Sequence, residues 1–235
     1  MSGGMSGGMS DGPRLVVFDV DGTLVDSQHL ILDAMAHAFA AAGHPMPDRA
    51  SVLGVVGLSL PVAMAELAAD LPEVDPLLLA EHYRAGFVAQ RAGGGGVAPL
   101  YPGAREALDR LAAAPATLLG VATGKARRGL DHLVAAHGLA GVFATSQTAD
   151  DHPSKPHPSM LLAALAETGT EAGRAVMVGD TEFDVLMGRA AGMATIGVAW
   201  GYHPRARLAA AGADLVIDRF DALDAALARL AEPGE

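Results

Sequence analysis

The sequence predicts an α/β fold: an open, doubly wound parallel sheet, with an all-helical segment inserted after its first strand. Three observations predict it. A short apolar run, residues 15–18, stands alone near the start and ends at a turn signal, Gly22. Only helical patterns follow between residues 28 and 96. Beyond Pro99, short apolar runs alternate with helical stretches, as in a parallel sheet with helices on both faces.

The elements follow in order. After the first strand, 28–42 reads as a helix because Ile31, Met35, Ala38 and Ala42 form one stripe, and Gly43 and Pro45 end it. Further helices are expected near 61–69 and 76–91. Four glycines, Gly93 to Gly96, then form a flexible joint. Strands are expected at 117–122, 142–145, 175–179, 195–199 and 214–217. Helices are expected at 103–113, 126–137, 158–168, 182–191, 204–211 and 220–231. Residues 13–27 and 97–235 thus make a Rossmann-like core, and 28–96 a helical insert. Residues 1–12 repeat Met-Ser-Gly-Gly and read as a flexible tail.

Composition removes several function classes. The formal charge is −11, from 16 basic and 27 acidic residues, and no basic block appears. A nucleic-acid partner is therefore not expected. A small anion still is, since local cations or a metal outweigh the global field. There is no cysteine, which excludes disulfides, a thiolate nucleophile and Cys-ligated zinc. The start lacks the basic and apolar segments of a secretory signal, and no apolar run is long enough to cross a bilayer. A cytoplasmic protein without a membrane partner is expected; the oligomeric state leaves no mark in the sequence.

In open parallel sheets, ligands bind beyond the carboxyl ends of the strands. Four polar segments fall at that edge: Asp19 and Asp21, then Thr123-Gly124-Lys125, then Lys155, then Asp180 with Asp184 a helical turn on. Each has an ordinary reading. Thr123 could cap the next helix. Thr181 and Asp184 resemble a capping box. Lys155 could be solvated, and Asp21-Gly22 is a common turn pair. The aspartate doublet is harder to dismiss. Side chains two apart on an extended chain point the same way. Carboxylates held side by side repel each other, unless a metal or a reaction uses them.

Phosphoryl transfer fits the set. A carboxylate can attack phosphorus, and a second can move the proton. Magnesium accepts carboxylate and phosphate oxygens together. A threonine hydroxyl, backbone amides and a lysine can hold the phosphoryl oxygens.

The chain resembles the haloacid dehalogenase superfamily, in its phosphoglycolate phosphatase-like branch. The resemblance rests on Asp19-Val-Asp-Gly-Thr-Leu-Val-Asp-Ser27, Thr123-Gly-Lys125, Lys155-Pro-His-Pro158 and Gly179-Asp-Thr-Glu-Phe-Asp184, in that order. It implies that Asp19 is the nucleophile and Asp21 the general acid and base. It implies that Asp19, the Asp21 backbone carbonyl, Asp180 and Asp184 serve Mg2+. Thr123, the Gly124 amide and Lys155 would bind the phosphoryl group, and the insert would be a mobile cap.

Two features bear on the reaction. Dehalogenases of the superfamily lack a carboxylate at the position of Asp21, so phosphate chemistry is expected. Many relatives carry Asn where this chain has Gly124. The expected activity is Mg2+-dependent hydrolysis of a small phosphomonoester, 2-phosphoglycolate first, through an aspartyl-phosphate. Sugar phosphates or nucleotides as substrates, or a sugar-phosphate mutase, are the alternatives. A non-catalytic phosphate-binding regulatory module is the reading from another class. Arg49, Arg84 and Arg91 are the insert cations that could meet the substrate.

Overall fold

The computed structural model describes residues 14–93, 95 and 97–231. The expected tail, 1–12, lies outside them, as do Gly94 and Gly96 of the glycine joint. The sheet is built on β1 (Arg14–Phe18), whose last four residues are all buried. Its side chains alternate between two apolar clusters. Val16 and Phe18 join Leu108, Leu130 and Leu223 on one face. Leu15 and Val17 join Met160, Leu161 and Met187 on the other. A strand apolar on both sides belongs in the middle of a covered parallel sheet.

Four helices follow β1: α1 (Gln28–Ala41), α2 (Arg49–Gly54), α3 (Leu60–Leu67) and α4 (Pro76–Ala92). They have an apolar cluster of their own, in which Ile31, Met35 and Phe39 meet Val52, Met64 and Leu79. Helix α2 was not expected. Six residues are too short to show a period, and its start depends on Asp48, which accepts from the Ser51 amide at 2.9 Å. The chain enters and leaves this insert side by side. Val25 and Leu100 form an antiparallel bridge. The Asp26 amide donates to the Pro99 carbonyl, and the Tyr101 amide to Leu24, each at 2.9 Å.

The remaining strands are β2 (Thr117–Thr123), β3 (Thr145–Thr148), β4 (Ala175–Gly179), β5 (Ala194–Val198) and β6 (Leu215–Ile217). All pairings are parallel, in the order β3-β2-β1-β4-β5-β6. Phe18 is in register with Val121 of β2 and Val178 of β4. The order reverses between β1 and β4, which opens a crevice at their carboxyl ends. Helices α5 (Ala104–Ala113), α6 (Arg127–Ala136) and α10 (Leu223–Ala231) cover one face. Helices α7 (Ser159–Thr168) and α8 (Glu182–Ala190) cover the other, and α9 (Arg205–Ala210) packs against β5 and β6.

The third strand differs from expectation. The sequence predicts it at 142–145, but the ladder runs from Thr145 to Thr148. Val142 and Phe143 precede it and pack, half-buried, against the core. The strand itself is polar because it lies at the sheet edge. There Thr145 and Gln147 donate to Glu167 at 2.5 and 2.8 Å.

Candidate active site

The expected site residues come from strand ends and from the loops and helix start that follow them. Asp19 follows β1 directly, and its amide donates to the Val178 carbonyl at 2.9 Å. Thr123 closes β2. Asp180 follows β4, and Asp184 sits in the first turn of α8. Lys155 comes from the loop between β3 and α7.

Three carboxylates and one ammonium meet in the crevice. Oxygens of Asp19, Asp180 and Asp184 lie within 4.8 Å of one another, and all three residues are buried. Lys155, only 1% exposed, pairs with Asp19 Oδ1 at 2.9 Å and Asp184 Oδ1 at 2.6 Å. It is not solvated. The capping box also exists: Thr181 and Asp184 exchange side chain-to-backbone hydrogen bonds. Asp184 thus caps α8 with one oxygen and holds Lys155 with the other. Asp180 accepts from Thr23 Oγ1 and from the Tyr202 amide, both at 2.8 Å. Gly22 makes room for it. With φ at +87°, a Cβ there would stand 2.2 Å from Asp180 Oδ2.

Burial dominates the electrostatics. It pushes Asp19 up to about 7 against the opposing charge of Lys155. It also raises Asp180 well above the carboxylate range, with the charges of Asp19 and Asp184 adding to it. Burial pulls Lys155 down, but Asp184 and Asp19 more than offset that and hold the ammonium above its usual value.

The residues fit a cation. Three negative charges face one positive one, and a dry carboxylate cluster is costly without further compensation. Asp19 Oδ2 is buried with no hydrogen-bond partner. An all-oxygen donor set suits a hard divalent ion.

Asp21 stands apart from that trio. Its Oδ1 accepts from Ser27 Oγ at 2.6 Å, and its Oδ2 pairs with Lys125 at 2.9 Å. The Lys125 ammonium also lies 5.9 Å from the centre of the Phe87 ring, on α4. Thr123 does not cap the next helix, whose N-cap is Ala126. Its Oγ1 instead accepts from the Lys125 amide at 3.2 Å.

Above these residues lies a cavity of about 520 Å³, with Asp19, Asp21, Thr123, Gly124 and Lys125 on its floor. Insert residues from α1 to α4 line most of the rest, with Arg128 of α6 and Asp150 from the core beside them. The insert is seated on the core at several points. The Ser59 amide donates to Ser154 Oγ at 2.8 Å. His203 accepts from the Glu182 amide through Nδ1, so its Nε2 carries the proton donated to the Gly54 carbonyl. Phe183 of α8 packs against Val55, Leu58 and Ala63. Gly124 sits directly under this seat. A Cβ on it would be 2.5 Å from the Leu58 carbonyl oxygen and 2.6 Å from that of Gly57. Of the insert cations singled out in the sequence, Arg84 and Arg91 line the cavity. Arg49 is held elsewhere, donating to Gln28 at 2.6 Å.

Residues 16–198 match the haloacid dehalogenase-like hydrolase family. This chain belongs to that family. It is 39% identical over 215 residues to the probable phosphatase IndB of Dickeya dadantii, across 88% of this chain and 90% of that one. It is 35% identical over 224 residues to a phosphoglycolate phosphatase of Agrobacterium fabrum, across 91% of each. Among solved structures, a predicted phosphatase from Clostridium acetobutylicum superposes with a TM-score of 0.81. It is 24% identical and covers 93% of this chain and 100% of that one, so it shares the fold. Among the described residues of this haloacid dehalogenase-like hydrolase, no helix is long and apolar enough to cross a membrane.

Sequence reasoning missed three contributors to the site, Thr23, Ser27 and Tyr202, and it saw Lys125 without its pairing to Asp21. Thr23, Ser27 and Lys125 lie inside motifs that characterise the haloacid dehalogenase-like resemblance, so their position was the available signal. Tyr202 had none. It arrives from the loop after β5, where its hydroxyl lies 2.9 Å from Ser27 Oγ.

Proposed function

We propose that the protein is a Mg2+-dependent phosphatase of small phosphomonoesters that works through an aspartyl-phosphate on Asp19 and accepts 2-phosphoglycolate. The observation that carries this is the position of the buried Asp19–Asp180–Asp184–Lys155 cluster, whose Asp19 also forms part of the cavity floor. The names of the relatives support it: one is called a phosphatase, another a phosphoglycolate phosphatase.

Asp19 attacks phosphorus, and the bond from phosphorus to the ester oxygen breaks. Asp21 gives that oxygen its proton. The phosphoryl group stays on Asp19 until a water, deprotonated by Asp21, attacks phosphorus and frees the carboxylate. Thr123 and the Gly124 amide hold phosphoryl oxygens, and Lys155 keeps Asp19 ionised and oriented. Mg2+ would be held by Asp19, Asp180, Asp184 and the Asp21 carbonyl, and when bound it neutralises phosphoryl charge. The insert acts as the cap that excludes bulk water. The sugar-phosphate mutases that the chain resembles typically carry an arginine in the cap loop corresponding roughly to 57–61; here that loop lines the cavity without one, which supports hydrolysis over mutase chemistry.

Phosphate release from 2-phosphoglycolate, with Mg2+ and with EDTA, tests the reading. Turnover is expected with Mg2+, and its loss is expected in EDTA and in Asp19→Asn. Equal rates in all three arms would overturn the mechanism.

A further inference from the structure

The cavity is larger and more apolar than a two-carbon ester requires. Its volume is about 520 Å³, within the range of roughly 300–1,000 Å³ that takes drug-sized ligands. This is not the gap beneath a lifted lid. The insert is already seated, through Ser59 on Ser154, Gly54 on His203, and the backbone of Gly57 and Leu58 against Gly124. The space that remains lies between the seated insert and the floor and is partly open to solvent.

Its walls are Ile31 and Met35 from α1, Val52 and Val56 from around α2, and Tyr83 and Phe87 from α4. Tyr83 and Phe87 meet edge to face, with ring centroids 5.1 Å apart, so they present a fixed aromatic surface. Burial, aided by the charge of Asp21, holds the Tyr83 phenol above its usual value and therefore neutral. Arg84, Arg91 and Arg128 also line the cavity. All three are exposed, and none forms an ion pair among the described residues.

A glycolate leaving group would fill the floor and leave the aromatic wall wet. We propose that the preferred substrate is a phosphomonoester whose alcohol carries a ring and, on the far side of that ring, a second anionic group. The phosphoryl group meets the floor, the ring lies against Tyr83, Phe87 and Met35, and the anion meets the unpaired arginines. This rests on the phosphatase reading and refines it.

Three esters of primary alcohols test it: 2-phosphoglycolate, 2-phenylethyl phosphate and 2-(4-carboxyphenyl)ethyl phosphate. Their leaving groups are all alkoxides, so intrinsic reactivity does not mask binding. Burial of apolar carbon gains about fourfold per methylene. Partial burial of a ring should therefore raise kcat/KM at least about thirtyfold over 2-phosphoglycolate. The carboxylated ester should be the best of the three. Val56→Phe, which fills half-buried space in the wall, should lower kcat/KM for both ring esters about tenfold relative to 2-phosphoglycolate. The proposal is overturned if 2-phosphoglycolate equals or exceeds the ring esters. A carboxylate that gives no gain, or a Val56→Phe loss that is equal on all three, also overturns it. If none of the three is hydrolysed with Mg2+ present, the phosphatase reading itself fails, which is a separate result.

Discussion

The floor of the cavity and its roof are built on opposite terms. On the floor, the buried charges answer one another. Lys155 holds Asp19 and Asp184, while Thr23 and the Tyr202 amide hold Asp180. In the roof, two of the cations that line the cavity have no ion pair among the described residues. They are Arg84 and Arg91, which stand exposed beside the apolar wall of the cavity. A chemical step needs its groups fixed before the substrate arrives. A recognition surface has only to become satisfied once the substrate is there. The buried cluster of the floor is fixed by its own contacts and has room only for a cation, whereas the roof is completed by a substrate.

That contrast can be broken experimentally. The largest effect should come from Asp19→Asn. Phosphate release should fall at least about 10³-fold, while the thermal midpoint holds or rises because a crowded charge is gone. Retained activity would remove the floor from the chemistry. Next, Lys155→Met leaves three buried carboxylates without their cation. Urea unfolding in EDTA should show a loss of about 3–5 kcal/mol. A loss under about 1 kcal/mol would mean that the cluster does not depend on its ammonium.

Gly124→Asn tests where floor and roof touch. Its side chain would run into the carbonyls of Leu58 and Gly57. The insert must then lift, and kcat/KM should fall about a hundredfold, the scale of a misplaced positioning contact. Unchanged kinetics would show that the seat adapts freely.

The floor should also announce itself through pH. In the metal-free protein, Asp19 titrates near 7 against a reference value of 3.8. The folded state therefore holds a proton that the unfolded state has lost between those values, so stability falls as pH rises through that window. In EDTA the protein should melt lower at pH 8 than at pH 5.5, and Mg2+ should narrow the gap. A flat profile would contradict the burial of these groups. The smallest effect belongs to the roof: Arg84→Ala should shift stability by less than about 0.5 kcal/mol in a thermal melt, since its exposed side chain supports nothing.

The same contrast explains what could be read from the sequence. The sheet edge was legible because buried strands are written in apolar runs, and polar residues that interrupt them at their ends stand out, as at Phe18-Asp19 and Gly179-Asp180. Strand β3 was misplaced because an edge strand has no apolar run to write. Helix α2 was missed because a single turn and a half carries no period. In the site, Asp21 and Lys125 were both visible, but their pairing was not. It depends on two loops meeting across 104 positions of chain, which no local pattern encodes. The roof was least legible of all. Tyr83 and Phe87 are four residues apart on α4, a spacing that reads equally well as core packing.

The paired crossing at Val25 and Leu100 has a consequence for inheritance. The insert leaves and returns through one hydrogen-bonded doorway, while β1 and β2 pair directly, residue for residue, from Arg14–Thr117 to Phe18–Val121. Nothing in that register refers to the length or content of what lies between. Helices α1 to α4 can thus be exchanged, lengthened or redrawn without disturbing the sheet that carries Asp19. A lineage built this way can change what it recognises while its chemistry stays still, and an engineer can do the same by grafting at residues 26 and 99.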